Sequence, residues 1–339
     1  MLISLRQNNE NAIRSKILDI AVKLAYNVGI FFLIMIPGII MKKTHLSTDG
    51  LGKGLSNLVL YVAQPVLIFN SYLREFDKKV FINMLYVLVF SIIVHVIFSV
   101  IAMRSFKKSP PGDRRMLRFA TIFSNAAFMG IPLIKEVIGA EAVIYASIYN
   151  ITFNAFLWTL GVYICTVNKG NLQNYKDCDK EHIYYRKAFL HPTMIAAYIG
   201  LMFFFLPIHD DIPALLTDGL ARIDVLVAPL SMVVLGLRLA ELDLRGFFKD
   251  KGFYLFIFLR HLALPTIAFF IMRGLAVFID IDPVVIKCVL IMASAPSATS
   301  ATMFAEMYDC DAKYVSKIVA VSTILSLATM PLVSLLTLI

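Results

Sequence analysis

The chain has 339 residues, of which 59% are hydrophobic and only 16% charged, and its mean hydropathy is +0.77. Apolar runs of about 20 residues, each long enough to cross a hydrocarbon core, recur from end to end, which excludes a soluble domain and marks an all-α polytopic membrane protein embedded in a lipid bilayer. The formal net charge of +9 would suggest nucleic acid in a soluble protein, but the basic residues gather between apolar runs with no aromatic-interleaved patch, so no nucleic-acid partner is expected.

The N-terminal segment MLISLRQNNENAIRSK has no compact apolar region and no small-residue cleavage site, and does not read as a signal peptide. Hydropathy then predicts ten spans, at residues 17–41, 55–73, 80–103, 115–138, 141–166, 188–207, 215–239, 252–277, 283–307 and 313–338. The longest polar interruption, residues 168–187, contains NKGNLQNYKDCDKEH and reads as a central cytoplasmic loop. It separates residues 1–167 from residues 188–339, with five spans in each. Cys165, Cys178, Cys288 and Cys310 are scattered, without CxxC or a His/Cys cluster, so neither disulfides nor structural zinc is expected.

Lysine and arginine fall unevenly on the loops. Those after spans 1, 3, 5, 7 and 9 hold 20, against 11 in the N-terminal segment and the loops after spans 2, 4, 6 and 8; Arg260, inside span 8, completes the 32. The bias places the odd-numbered loops in the cytoplasm and both termini outside, in a multi-pass protein of the cell (plasma) membrane. The N-terminal segment, with four basic residues, is the opposing signal.

The two halves resemble each other at a shift of about half the chain. Thr48-Asp49-Gly50-Leu51 recurs as Thr217-Asp218-Gly219-Leu220, and Glu136, Glu141 and Ala142 recur as Glu306, Asp311 and Ala312, at shifts of 169 and 170. Five spans per half is an odd number, so the second half must insert upside down. Two inverted five-helix repeats are an architecture of secondary transporters.

Span 4 contains FSNAAFMGIPLIKE, Phe123 to Glu136, and span 9 contains MASAPSATSATM at the corresponding position. Each puts proline, small residues and polar residues near the middle of an apolar run. Proline removes a backbone donor and clashes with the preceding turn, and a freed carbonyl survives in a membrane only where protein or a watery cavity covers it. Two such breaks predict broken helices 4 and 9 crossing at the bilayer midplane, each leaving a half-helix N-terminus that attracts an anion, above all a carboxylate. The candidate substrate-binding residues there are Asn125, Gly130, Pro132, Ser294, Pro296, Ser297, Thr299 and Ser300. Taken singly, each proline is equally a packing kink; the matched pair favours a site.

Other polar residues within spans are Gln64, Asn70, Asn150 and Asn154, which either meet the ligand or bond between helices. Asn150 and Asn154, four apart, share one helical face. Arg260 reads either as a bidentate partner for a second carboxylate or as a side chain reaching to the interface. His95 reads as a packing residue, with a coupling proton as its alternative role. GxSxG, HExxH and phosphate-cradling glycine loops are lacking, so no catalytic residue, bound metal or cofactor is expected.

NAAFMGIPLI, Asn125 to Ile134, closely resembles the N-x-x-x-M-G-I-P-L signature of the auxin efflux carrier family, which also takes in malate and malonate permeases. AEMYDCDAKYVSKIVAVSTILSLATMPLV resembles that family's closing segment, and LSNLVLYVAQPVLIF its second helix. The resemblance implies ten helices in two inverted sets of five, an elevator mechanism and homodimers formed through the scaffold. Spans 1, 2, 6 and 7 would be scaffold, and spans 3–5 and 8–10 would carry the crossover. It implies organic-anion substrates, with the substrate-contacting asparagine at Asn125 and the crossover prolines at Pro132 and Pro296. The plant carriers' long central loop is reduced here to residues 168–187.

The expected activity is therefore secondary active transport of a small organic anion (a carboxylate), coupled to H+ or Na+, by an elevator-type alternating-access mechanism. The alternatives are a sodium-coupled symporter of the bile-acid type and a ligand sensor that does not transport. An aromatic monocarboxylate would make Phe128, Met129 and Phe304 its pocket walls.

Overall fold

The computed structural model describes residues 2–48, 50–166, 189–206, 212–241, 251–308 and 310–338, with side chains from 22 to 336. Regular structure among them is helical: α1 (Leu2–Lys43), α2 (Leu51–Leu58), α3 (Gln64–Tyr72), α4 (Lys78–Arg104), α5 (Pro111–Ile122), α6 (Ile131–Val137), α7 (Val143–Phe156) and α8 (Val162–Thr166) come first. After the central segment follow α9 (Pro192–Phe205), α10 (Ala214–Asp224), α11 (Val227–Ala240), α12 (Lys251–Phe258), α13 (Leu264–Leu275), α14 (Pro283–Ser294), α15 (Ser300–Met307) and α16 (Ala312–Ser334). Seven helical stretches among the described residues are long and apolar enough to cross a membrane, and α9 and α14 are shorter apolar helices. The protein is an all-helical, multi-pass membrane protein.

Side-chain caps set several helix starts. Asp77, Asp282 and Asp311 accept bonds from the amides of Lys79, Val284 and Tyr314 at 2.6, 3.0 and 2.9 Å, each satisfying one of the first-turn donors that a helix leaves open. Three prolines inside the spans are preceded by a wider turn, whereas Pro37 and Pro331 sit within continuous α-helix. π turns at Val59–Ala63, Ala126–Gly130 and Leu259–Ala263 each end two residues before Pro65, Pro132 and Pro265. The missing proline donor and the ring's clash with the preceding turn make an i→i+4 ladder untenable there, and the π turn absorbs both. A further π turn at Leu157–Gly161 contains and precedes no such proline.

Two sets of helix contacts stand out, joined by α1, which also packs on α6 and α16. In one, α1 lies along α11, α2 packs on α11, and α3 packs on α9 and α10. In the other, α4 packs on α5, α7 and α14, and α16 packs on α5, α14 and α15. The α1–α11 crossing brings backbones together. A Cβ added at Gly236 would sit 2.1 Å from the Met35 carbonyl oxygen, and one at Gly38 2.3 Å from that of Val233. Small residues at a helix crossing allow this approach, which carries much of helix association in lipid.

Several expectations need revision. The first helix starts at Leu2, well before the predicted 17, because hydropathy registers only the membrane-length part, Val22–Lys43, whereas the polar residues ahead of it are ordinary helix formers. Span 7 bends at Val225–Leu226, between α10 and α11. The repeated Thr-Asp-Gly-Leu motif takes two conformations: Gly50 has φ +93° and precedes α2, whereas Gly219 lies within α10. The central loop at 168–187, including Cys178, lies outside the described residues.

Gly236→Ala, which must displace backbone, lowers stability by about 1–3 kcal/mol. Gly219→Ala, with nothing within 4 Å of its added Cβ, does not lower it. Thermal unfolding in detergent distinguishes the two.

Candidate functional site at the crossing of two broken helices

The two interruptions predicted from sequence meet each other. After α5 the chain is extended at Phe123 (φ −93°, ψ 120°), and after α14 it is extended at Ala295 (φ −56°, ψ 150°). These segments run antiparallel, with Ser124 opposite Ser297. The Asn125 amide donates to the Pro296 carbonyl at 2.7 Å, and the Ala298 amide to the Phe123 carbonyl at 2.9 Å. Pro296 fits because its place in the pairing requires only a carbonyl. Ser124 and Ser297 form the non-hydrogen-bonded pair of this bridge, where opposed side chains lie closest. Both residues are buried, and the Ser297 hydroxyl has no hydrogen-bond partner among the described residues.

Each break divides its span into two half-helices whose ends carry opposite partial charge. The C-terminal ends of α5 and α14 share one cation. Arg260, fully buried on the π turn before α13, donates from Nη1 to the Thr121 carbonyl at 3.3 Å and from Nη2 to the Ala295 carbonyl. Its guanidinium also lies 5.9 Å from the centre of the Phe98 ring. Arg260 therefore does not reach the interface. It ties the negative ends of two helices together from inside.

The other half-helices begin at the opposite side of each break. Asn125 precedes the helical stretch that opens with Ala126–Gly130, and its carbonyl accepts from Met129 and Gly130, both at 3.1 Å. Its Nδ2 is buried without a partner among the described residues, and the residue is 3% exposed. Thr299 precedes α15, and the Ser300 hydroxyl in the first turn is likewise buried and unpartnered. The Ser297 amide donates to Ser322 Oγ at 2.8 Å, and that hydroxyl lies 2.9 Å from His261 Nε2.

The remaining predicted residues divide. Gln64 reaches the first break, where its Nε2 donates to the Ala127 carbonyl at 3.1 Å and its Oε1 is buried and unpartnered. Gly130 lets the first break press on α14, since a Cβ there would meet Met292 Sδ at 2.7 Å. Ser294 donates to the Ile291 carbonyl of its own helix, and Asn154 to the carbonyl of Asn150. The Asn150 Oδ1 is buried without a partner. Pro132 lines a different, small cavity of about 40 Å³, with Lys135, Glu136 and Asp224. Phe304 is stacked among Phe119, Trp158 and Tyr308, which makes it core. His95 Nδ1 donates to the Ser91 carbonyl at 2.7 Å among the rings of Tyr149, Phe153 and Phe156.

Sequence reasoning missed two polar links between the helix groups. Lys135 on α6 pairs with Asp224 on α10, whose other oxygen accepts from Asn70 Nδ2 at 3.1 Å. Arg238, in the last turn of α11, donates to the Thr299 carbonyl at 3.4 Å. Both residues sit near predicted span ends, where charge is read as topology. No group of three or more potential metal-ligating side chains occurs among the described residues.

The profile of the family described as "Membrane transport protein" matches residues 26–334. The chain belongs to this family. It is the one that includes the auxin efflux carriers, as the Asn125–Ile134 motif implies. Two archaeal relatives carry the name uncharacterised transporter. One, from Methanothermobacter thermautotrophicus, is 26% identical, with 88% of this chain and 93% of the relative aligned. The other, from Methanocaldococcus jannaschii, is 25% identical over 86% and 90%. A Rhizobium meliloti protein named "Putative malonate transporter" is 24% identical over 81% of this chain and 83% of its own length. The protein is a membrane transporter and not an enzyme.

Two outcomes follow from the geometry. Each carbonyl left unpaired by Arg260→Leu costs about 1–3 kcal/mol; Arg260→Lys, a single point charge, recovers only part of the loss, and unfolding in detergent measures both. Lys135→Met strands the Asp224 carboxylate and costs about 1–3 kcal/mol. Adding Asp224→Asn returns stability toward wild type, which a double-mutant cycle detects.

Proposed function

We propose that this protein is a secondary active transporter of small carboxylates, which bind where the two broken helices cross and are carried across the membrane by an elevator-type shift of the crossover body. The carrier comprises α4–α8 and α12–α16, and the frame comprises α1–α3 and α9–α11, the latter also forming a homodimer. In this reading the ten predicted spans form two inverted repeats, residues 1–167 and 188–339. Both termini face outside the plasma membrane, and the odd-numbered loops are cytoplasmic. H+ or Na+ supplies the driving gradient.

The observation that carries the reading is the state of the crossover. Arg260 occupies the negative half-helix ends, while the positive ends retain the Asn125 side-chain Nδ2 and the Ser297 and Ser300 hydroxyls, buried and without partners. Donors in that arrangement suit a carboxylate, whose two oxygens accept several bonds. The two main sets of helix contacts supply a candidate frame and a candidate moving body, with α1 packing on α6 and α16 between them. The name of the Rhizobium meliloti relative makes malonate the first substrate to try.

Purified protein in proteoliposomes takes up radiolabelled malonate, or another small carboxylate from a panel. Asn125→Ala lowers that uptake by about tenfold or more with unchanged elution and unfolding temperature. Undiminished uptake by Asn125→Ala removes the crossover as the binding site. Omitting the sodium gradient, then the proton gradient, identifies the coupling ion.

A further inference from the structure

We infer that Arg238 is the cation that recognises the substrate's carboxylate from the frame side of the crossover; this rests on the transport reading above. Two arginines approach the breaks, and their situations differ. Arg260 is fully buried and donates once from each Nη to a helix carbonyl, its Nε being buried without a partner among the described residues. Releasing it would uncover the negative ends of α5 and α14, so it is not available to a ligand. Arg238 is exposed, and the one hydrogen bond described for it is the long contact to Thr299. Four of the five guanidinium donors are then uncommitted among the described residues.

Its position suits the role. Thr299 immediately precedes α15, between Ser297 and Ser300, whose hydroxyls are the unpartnered buried groups of the second break. Antiparallel pairing of the breaks bonds the Asn125 backbone amide to Pro296 and so places its residue, whose side-chain Nδ2 is unpartnered, at the second break. A carboxylate seated against these donors lies within the sweep of a guanidinium that already touches Thr299. The acidic groups facing Arg238 are Glu241 and Glu306. Glu241 is held by Lys42 at 2.7 Å, with both side chains partly exposed, so it competes weakly for the guanidinium.

Arg238 belongs to α11, which packs along α1, whereas Thr299 belongs to the broken span. The contact therefore crosses from frame to carrier. An anion bound between them exchanges a weak arginine–carbonyl bond for a charge-assisted arginine–carboxylate pair. Selection of an anion over a neutral isostere then lies with a residue outside the crossover motif.

Initial rates of radiolabelled malonate uptake in proteoliposomes test this, with a carboxylate panel including malate, succinate and acetate where malonate is not carried. Arg238→Gln raises KM for the transported carboxylate about tenfold to a hundredfold while the maximal rate changes by less than that. Arg238→Lys restores part of the affinity, and competition by malonamide, the neutral isostere, loses its disadvantage against malonate in Arg238→Gln. A merely structural role would lower the maximal rate through a smaller active fraction and leave KM in place. Wild-type transport with unaltered KM in Arg238→Gln overturns the assignment and leaves the transport reading standing. Failure of the wild type to carry any carboxylate of the panel overturns both.

Discussion

A membrane helix can be opened only if its freed backbone groups find partners within the protein, since lipid offers none. Here the partner of each opened helix is the other opened helix. The bonds from Asn125 to Pro296 and from Ala298 to Phe123 leave neither break tenable alone. Deleting one would expose the other's amide and carbonyl at a cost of several kcal/mol. The same crossing sorts the half-helix dipoles. Both negative ends come within reach of a single guanidinium, and both positive ends keep buried donors. Arg260 thus has a structural cause requiring no ligand: a full positive charge opposed by two ends of roughly half a charge each.

From that constraint the neighbouring peculiarities follow. Pro132 and Pro265 each need a widened turn ahead of them, and those turns carry the residues nearest the crossing: Ala126–Gly130 follows Asn125, and Leu259–Ala263 carries Arg260. Arg260, within the second of these turns, points at Thr121 and Ala295 and not at lipid. Two cavities lie away from the crossing. One is beside Pro132, and another of about 220 Å³ is lined mainly by apolar groups with Lys287 and Ser334 at its wall.

Much of this was legible from residues. The two breaks, their proline content and their correspondence across the chain required only hydropathy and spacing, and they located Asn125, Pro296, Ser297 and Ser300 together. The side chains were harder. Ser294 and Asn154 are polar residues within helices, yet they bond to the preceding turn of their own helix, an outcome open to any Ser or Asn in an apolar helix. Pro132 was read as a site residue because it breaks the helix, but its ring faces the Lys135–Asp224 cavity. Thr-Asp-Gly-Leu matched across the halves in letters and not in backbone, since the left-handed conformation at Gly50 is a choice that glycine permits without requiring.

Arg260 and Arg238 show why charge in an apolar sequence resists a one-dimensional reading. By position, Arg260 reads either as a partner for a ligand or as a side chain reaching to the interface, and Arg238 enters only the count of charges after span 7. Three dimensions exchange the roles. A cation deep within a span must be neutralised before any substrate arrives, and the carbonyl ends of two broken helices do so at Arg260. A cation in a last turn has no such obligation: its stem lies along the helix while its head remains free to turn inward. What commits an intramembrane charge to structure is what its release would leave uncovered, here two helix ends at Arg260 and one carbonyl at Arg238. By that measure the uncommitted positive charge at this crossing belongs to α11.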